Sequence, residues 1–303
     1  MSARPRRRIV LLAASALMLA LAPAAPTATC VVQSPTTSVL TIQLDATPAT
    51  IDASAAPVVV NGTPQPCANL TAITITGTAA GNTVSALTTG LAGVQITADL
   101  LGGGDRLDAT GSQPIGPILG GAGGDELSAP DAGGSQLRGD GDADTLIGGG
   151  EADDLQGGAG DDTLRPGRGT GANDGGGGGD TLDYSDVGVN VTASLAAGSA
   201  STTSTGVTLA QTIANIDNLV GGTGTDTFTG NGDPNELDGG TGSAIDTLAG
   251  GGAADHLIGG GGGDTLAGEA GADILDGGAG EDRLIGGAGA DALHGDGDAD
   301  TAS

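Results

Sequence analysis

Residues 250–294 read GGGAADHLI (250–258), GGGGGDTLA (259–267), GEAGADILD (268–276), GGAGEDRLI (277–285) and GGAGADALH (286–294). Each unit opens on Gly, places an acid sixth and an apolar residue eighth. A fixed period decides the fold before any local propensity does. The register extends outward through GGTGTDTFT (221–229), GNGDPNELD (230–238), GGTGSAIDTLA (239–249) and GDGDADTAS (295–303). The unit at 239–249 is two residues longer than the others, which predicts a bulge at Ala244-Ile245. A second block runs GGAGGDELS (120–128), a degenerate PDAGGSQLR (130–138), GDGDADTLI (139–147), GGGEADDLQ (148–156) and GGAGDDTLR (157–165). PGRGTGAND (166–174) loses the pattern and GGGGGDTLD (175–183) restores it.

The sixth positions are Asp125, Asp144, Asp153, Asp162 and Asp180, then Asp226, Asn235, Asp246, Asp255, Asp264, Asp273, Asp282, Asp291 and Asp300. The eighth positions are mostly Leu, with Phe228 and Ala302 the exceptions in the second block. A six-residue turn followed by a three-residue strand satisfies both, with position eight inward and positions seven and nine outward. The Gly residues open turn dihedrals and leave carbonyls exposed. Carboxylates and carbonyls together are what a hard cation with six to eight oxygen ligands requires.

Composition points the same way. The 303 residues include 61 Gly, no Trp, one Tyr and one Phe, and the formal net charge is −28. An ordinary globular enzyme carries far less Gly and a core rich in aromatics. Nucleic acid is excluded as a partner, because its phosphates would be repelled. All nine basic residues are Arg, and Arg4, Arg6, Arg7 and Arg8 precede an apolar run and an Ala22-Pro23-Ala24 cleavage pattern. Residues 1–24 therefore read as a signal peptide, with no membrane span expected in the exported chain. Export makes a Cys30–Cys67 disulfide an expectation.

The remaining organisation is a loose leader (25–38), a β-rich segment (39–119), the first block (120–183), a β-rich bridge (184–220) and the second block (221–303). The 39–119 segment alternates polar and apolar residues, as in Ile73-Thr74-Ile75 and Val94-Gln95-Ile96, which reads as short strands.

These nonapeptides resemble G-G-x-G-x-D-x-U-x, the repeat of the RTX, or haemolysin-type calcium-binding, family. The resemblance implies an all-β, right-handed parallel β-roll, a β-solenoid in which two nonapeptides make one coil and 39–119 caps or continues the roll. It also implies several Ca2+ ions, on the order of six to ten, held between stacked turns. Units i and i+2 then share a side. Asp144 faces Asp162, Asp246 faces Asp264, Asp255 faces Asp273, Asp264 faces Asp282, Asp273 faces Asp291 and Asp282 faces Asp300. Ser135 and residues 166–174 put the neighbouring first-block sites in doubt.

Other signals carry less. Asp140-x-Asp142-x-Asp144 with Glu151 mimics an EF-hand loop, but Thr145 stands where that loop needs Gly. His256 and His294 read as surface histidines, without a zinc pattern. No G-x-S-x-G nucleophile motif is present. The expectation is a secreted, extracellular, non-catalytic calcium-binding module, structural or adhesive, with a cell-surface or matrix partner. The alternatives are a hydrolase-associated protein with a site in 39–119, and an ice- or surface-binding solenoid. The latter would use the outward residues Thr227, Thr247, Thr265, Arg283 and Thr301.

Overall fold

The computed structural model describes residues 27–34, 37–44, 49–53, 59–60, 63–64, 70–89, 95–111, 116–131 and 133–303. The expected signal peptide and the expected Cys30–Cys67 pairing lie outside what is described. The described residues form strands and turns with no helix, so no helix among them is long and apolar enough to cross a membrane.

The strands fall into two sheets, of 16 and 14 strands. Outside the N-terminal hairpins and the bridge, the chain alternates between them, so a strand pairs in parallel with the strand about one coil away. The 14-stranded sheet carries an apolar ladder in Cα register: Val84, Leu107, Leu127, Leu146, Leu164, Leu182, Leu219, Leu237, Leu257, Leu275 and Leu293. The other sheet carries Phe228, Leu248, Leu266 and Leu284 on its inner face. From Val84 to Leu284 these ladder residues are essentially inaccessible, while Leu293 is only partly buried. At roughly 1.5–3 kcal/mol for each fully buried Leu, the ladders supply an interior without needing aromatics. The parallel β-roll that the resemblance implies is what forms.

Strands are longer than the expected three residues in much of the second block. Thr247–Gly252, His256–Gly261, Thr265–Ala270, Ile274–Ala279 and Arg283–Ala288 each take in the first three residues of the next unit. Gly at those positions lets neighbouring backbones approach closely enough to pair. The 239–249 insertion is absorbed in its turn, where Ile245 is 59% exposed, and Thr227↔Thr247↔Thr265 stay in register.

The 39–119 segment continues the roll. Leu70–Thr78, Gln95–Leu101 and Ile118–Ala122 extend one sheet, and Thr83–Thr89 and Arg106–Gly111 extend the other, all in parallel. Within the leader, Thr27–Ser34 pairs antiparallel with Thr37–Gln43. That is more order than the Ala/Pro/Thr-rich composition implied. In the bridge, Asn190–Ser194, Ser199–Ser204 and Val207–Ala214 form an antiparallel meander inserted into the 16-stranded sheet alone.

Candidate metal sites along two turn columns

The sixth-position side chains point inward. Asp125, Asp144, Asp153, Asp162, Asp180, Asp226, Asn235, Asp246, Asp255, Asp264, Asp273 and Asp282 are all buried, while Asp291 and Asp300 are half-buried. They stack in two columns, one on each edge of the roll. Within a column, the backbone N–H of one acid donates to a carboxylate oxygen of the acid one coil further on.

On the edge feeding the 14-stranded sheet, Asp125 N–H reaches Asp144 Oδ1 at 2.7 Å, Asp144 reaches Asp162 at 2.8 Å and Asp162 reaches Asp180 at 2.9 Å. After a break at Asp217, Asn235 reaches Asp255 at 2.9 Å, Asp255 reaches Asp273 at 2.9 Å and Asp273 reaches Asp291 at 3.1 Å. On the other edge, Asp226 reaches Asp246 at 2.7 Å, Asp246 reaches Asp264 at 2.7 Å, Asp264 reaches Asp282 at 2.8 Å and Asp282 reaches Asp300 at 2.9 Å. All six facing pairs read from the sequence are column neighbours.

One oxygen of each carboxylate is thus used. The other, Oδ2, is buried and without a hydrogen-bond partner in Asp105, Asp125, Asp144, Asp153, Asp162, Asp180, Asp255, Asp264, Asp273 and Asp282. A buried acceptor with no donor is costly, and a repeated set of them needs an explanation. Gly139 shows what surrounds one. A Cβ added there would collide with both Asp144 Oδ2 and the carbonyl oxygen of Gly157. Carboxylate and carbonyl oxygens converge with no proton between them, which fits a hard divalent cation. Among the described residues no three His, Cys, Asp or Glu side chains gather into a metal site. Carboxylates completed by backbone carbonyls would be the donors here, a set that suits Ca2+ better than zinc.

Burial raises the carboxyl pKa values: to about 7 for Asp144 and Asp246, and to about 6 for Asp105, Asp125, Asp153, Asp180, Asp226 and Asp255. The donated backbone N–H groups oppose the rise. Neighbouring carboxylates reinforce it, Asp125 and Asp162 acting on Asp144, and Asp226 and Asp264 on Asp246. Such groups are held for a cation, or for a proton in its absence.

Three residues of the pattern differ. Asn235 is fully satisfied: its amide nitrogen donates to the Asp217 carbonyl at 2.8 Å and its oxygen accepts from Asn231 N–H at 2.9 Å. Asp226 accepts with both oxygens, from Val191 and Gly222. Asp153 has Ser135 on one side, whose N–H it accepts at 2.7 Å, and no acid on the other. The 166–174 unit keeps its register, pairing Asn173 with Leu155, but Gly171 occupies the acid position.

Three positions escaped the sequence reading. Asp105 accepts from Asn82 N–H and donates its own N–H to Asp125 Oδ1 at 2.7 Å. Asp217 accepts from Asp180 N–H at 2.8 Å. Their signal is an Asp or Asn two residues before an apolar residue: Asn82-Thr83-Val84, Asp105-Arg106-Leu107 and Asp217-Asn218-Leu219.

The other candidates resolve simply. Asp140 lies near the end of the strand Gln136–Gly141 and Asp142 in the bend after it, both with positive φ and with no flanking helix. His256 Nε2 and His294 Nδ1 lie 3.0 and 2.7 Å from the Asp276 carboxylate on the outer face. Burial works against ionisation of Asp276, but the hydrogen bonds to the two histidines hold its pKa below the usual carboxylate value.

No curated protein matches the chain. The family described as RTX calcium-binding nonapeptide repeat (4 copies) matches residues 137–171, 214–245, 241–275 and 267–302. Those matches hold Asp144, Asp153, Asp162, Asp255, Asp264, Asp273 and Asp282, seven of the ten acids with a buried, unpartnered Oδ2, and the chain belongs to the RTX calcium-binding nonapeptide-repeat family.

Proposed function

We propose that this protein is a secreted, non-catalytic module whose roll folds on binding several Ca2+ ions and serves as a stiff structural or adhesive element outside the cell. The single observation carrying this is the row of buried, unpartnered Oδ2 atoms along both columns. Asp144, Asp162, Asp180, Asp255, Asp264, Asp273 and Asp282 would hold the ions, with the first Gly carbonyl of the adjoining unit. Bound Ca2+ supplies positive charge where acids accumulate. The residues themselves fix the spacing: each carboxylate is oriented by the N–H of its column neighbour. A chain of net charge −28 repels itself without counterions, so cation binding energy becomes folding energy. The N-terminal signal-like segment supports an extracellular setting, where weak multi-oxygen sites fill.

Calorimetric titration with Ca2+ and with Mg2+ tests this. Saturable binding of several Ca2+ ions is expected, weakened by Asp255→Ala and Asp264→Ala. No Ca2+ binding by the intact chain would sink the proposal.

A second reading, attachment to an ordered surface, draws on the outward Thr192, Thr227, Thr247 and Thr265, which stand in Cα register. Arg283 interrupts that row before Thr301, and β-branched Thr suits an exposed strand anyway. Thermal hysteresis lost in Thr247→Lys and Thr265→Lys would favour it. Hydrolase screening checks the catalytic alternative.

A further inference from the structure

We infer that the bridge is a metal-independent nucleus, a region around residues 184–228 that stays folded when the repeats hold no calcium. This rests on the calcium-coupled reading above and adds to it where folding persists without the ion.

The acid column on the edge feeding the 16-stranded sheet has a gap between Asp153 and Asp226. Gly171 fills the intervening acid position, and its backbone runs so close to the Asp153 carbonyl that no side chain fits. Elsewhere, column turns leave carbonyls facing bare carboxylate oxygens. In this coil the protein supplies the donors itself. Thr202 Oγ1 donates to the Arg168 carbonyl at 3.1 Å, and Gln211 Nε2 donates to the Gly169 carbonyl at 2.9 Å. Gln211 Oε1 in turn accepts from the Tyr184 hydroxyl. Thr202, Gln211 and Tyr184 are buried. The meander strands thus place side-chain donors against turn carbonyls of the 166–171 segment, where a cation would otherwise be the only partner.

Three further features agree. No charged residue occurs from Val187 to Ile216, so the self-repulsion that opens the repeats does not act within the meander. Both aromatics, Tyr184 and Phe228, are fully buried at its borders. The meander pairs strands close in sequence, Val191 with Thr202 and Ala200 with Gln211, so closing it costs little loop entropy. At its C-terminal border Asp226 is satisfied by two backbone N–H groups.

Tyr184 is the only Tyr and the chain has no Trp, so intrinsic fluorescence reports on the bridge alone. The experiment is acrylamide quenching of the full chain in EDTA and in calcium, with hydrogen–deuterium exchange mass spectrometry on the same samples. In EDTA, Tyr184 should stay within about twofold of its shielding in calcium, while peptides from 239–302 exchange about a hundredfold faster than the bridge. Gln211→Leu removes the bonds to Tyr184 and Gly169. It should expose Tyr184 in EDTA yet leave it shielded in calcium, with Thr202→Val giving a milder version. Exposure of wild-type Tyr184 in EDTA, with the repeats also exchanging freely, overturns the inference and leaves the calcium-coupled reading intact. Protection of 239–302 in EDTA overturns both. Unchanged shielding of Gln211→Leu in EDTA overturns the assigned role of its hydrogen bonds.

Discussion

The backbone N–H of Asp264 donates to Oδ1 of Asp282, one coil on, at 2.8 Å, while Asp282 Oδ2 stays buried and unpartnered. This relationship repeats along both edges and combines two roles in one side chain. One oxygen ties coil to coil and the other is left for a cation.

Asn235, in the column of Asp255 and Asp273, shows what an amide does there: backbone groups of Asp217 and Asn231 take up its nitrogen and its oxygen. Asp273→Asn should therefore keep the roll but lose an ion site, because an amide offers one acceptor and no charge. Asn235→Asp should add capacity for an ion beside Asp255. Calcium stoichiometry by native mass spectrometry distinguishes the two. Removing the side chain in Asp282→Ala also strands the buried Asp264 N–H, costing about 1–3 kcal/mol of stability.

Acidity should stabilise the metal-free roll. Burial pushes the carboxyls of Asp144 and Asp246 up to about 7 and those of Asp125, Asp180 and Asp255 to about 6, from an ordinary 3.8. A carboxyl raised on folding binds protons more tightly in the folded state, so stability falls as pH rises through the window from 3.8 to about 7. In chelator, β structure measured by circular dichroism should be greater at pH 5 than at pH 8. In calcium the order reverses, since protons compete with the ion. Equal metal-free folding at both pH values would contradict the buried, orphaned carboxylates.

The Leu ladder carries the interior. Leu266 lies between Leu248 and Leu284 and is fully buried. Leu266→Ala should cost about 2–5 kcal/mol, read as a lower thermal midpoint in saturating calcium.

Asn173 occupies a ladder position between Leu155 and Ile213, and neither of its side-chain polar atoms has a partner. Asn173→Leu should stabilise the roll by about 1–3 kcal/mol and raise the thermal midpoint at fixed calcium. A lower midpoint would show that Asn173 makes a compensating interaction.

The nine-residue period made much of this legible. Asp and Leu at fixed offsets place one residue type in the turn and the other on the inner face, and the facing acids follow from two units per coil. The period also carried into 166–174, but Gly171 and Asn173 replace both diagnostic residues, so its register was invisible. Asn82 and Asp105 were missed because their turns lack the paired Gly that marks a unit: Leu100-Leu101 stands where Gly-Gly would. The inward burial of the acids is a three-dimensional result, since it depends on the N–H of a neighbour about eighteen residues away. The bridge meander follows no period at all, and only strand pairing reveals that it enters one sheet.

The most direct test of calcium-coupled folding is far-UV circular dichroism of residues 25–303 during a calcium titration, with magnesium as control. The account predicts a cooperative gain of β signal with calcium alone, starting from a small residual signal contributed by the bridge. A full β signal in chelator, unchanged by calcium, would contradict it.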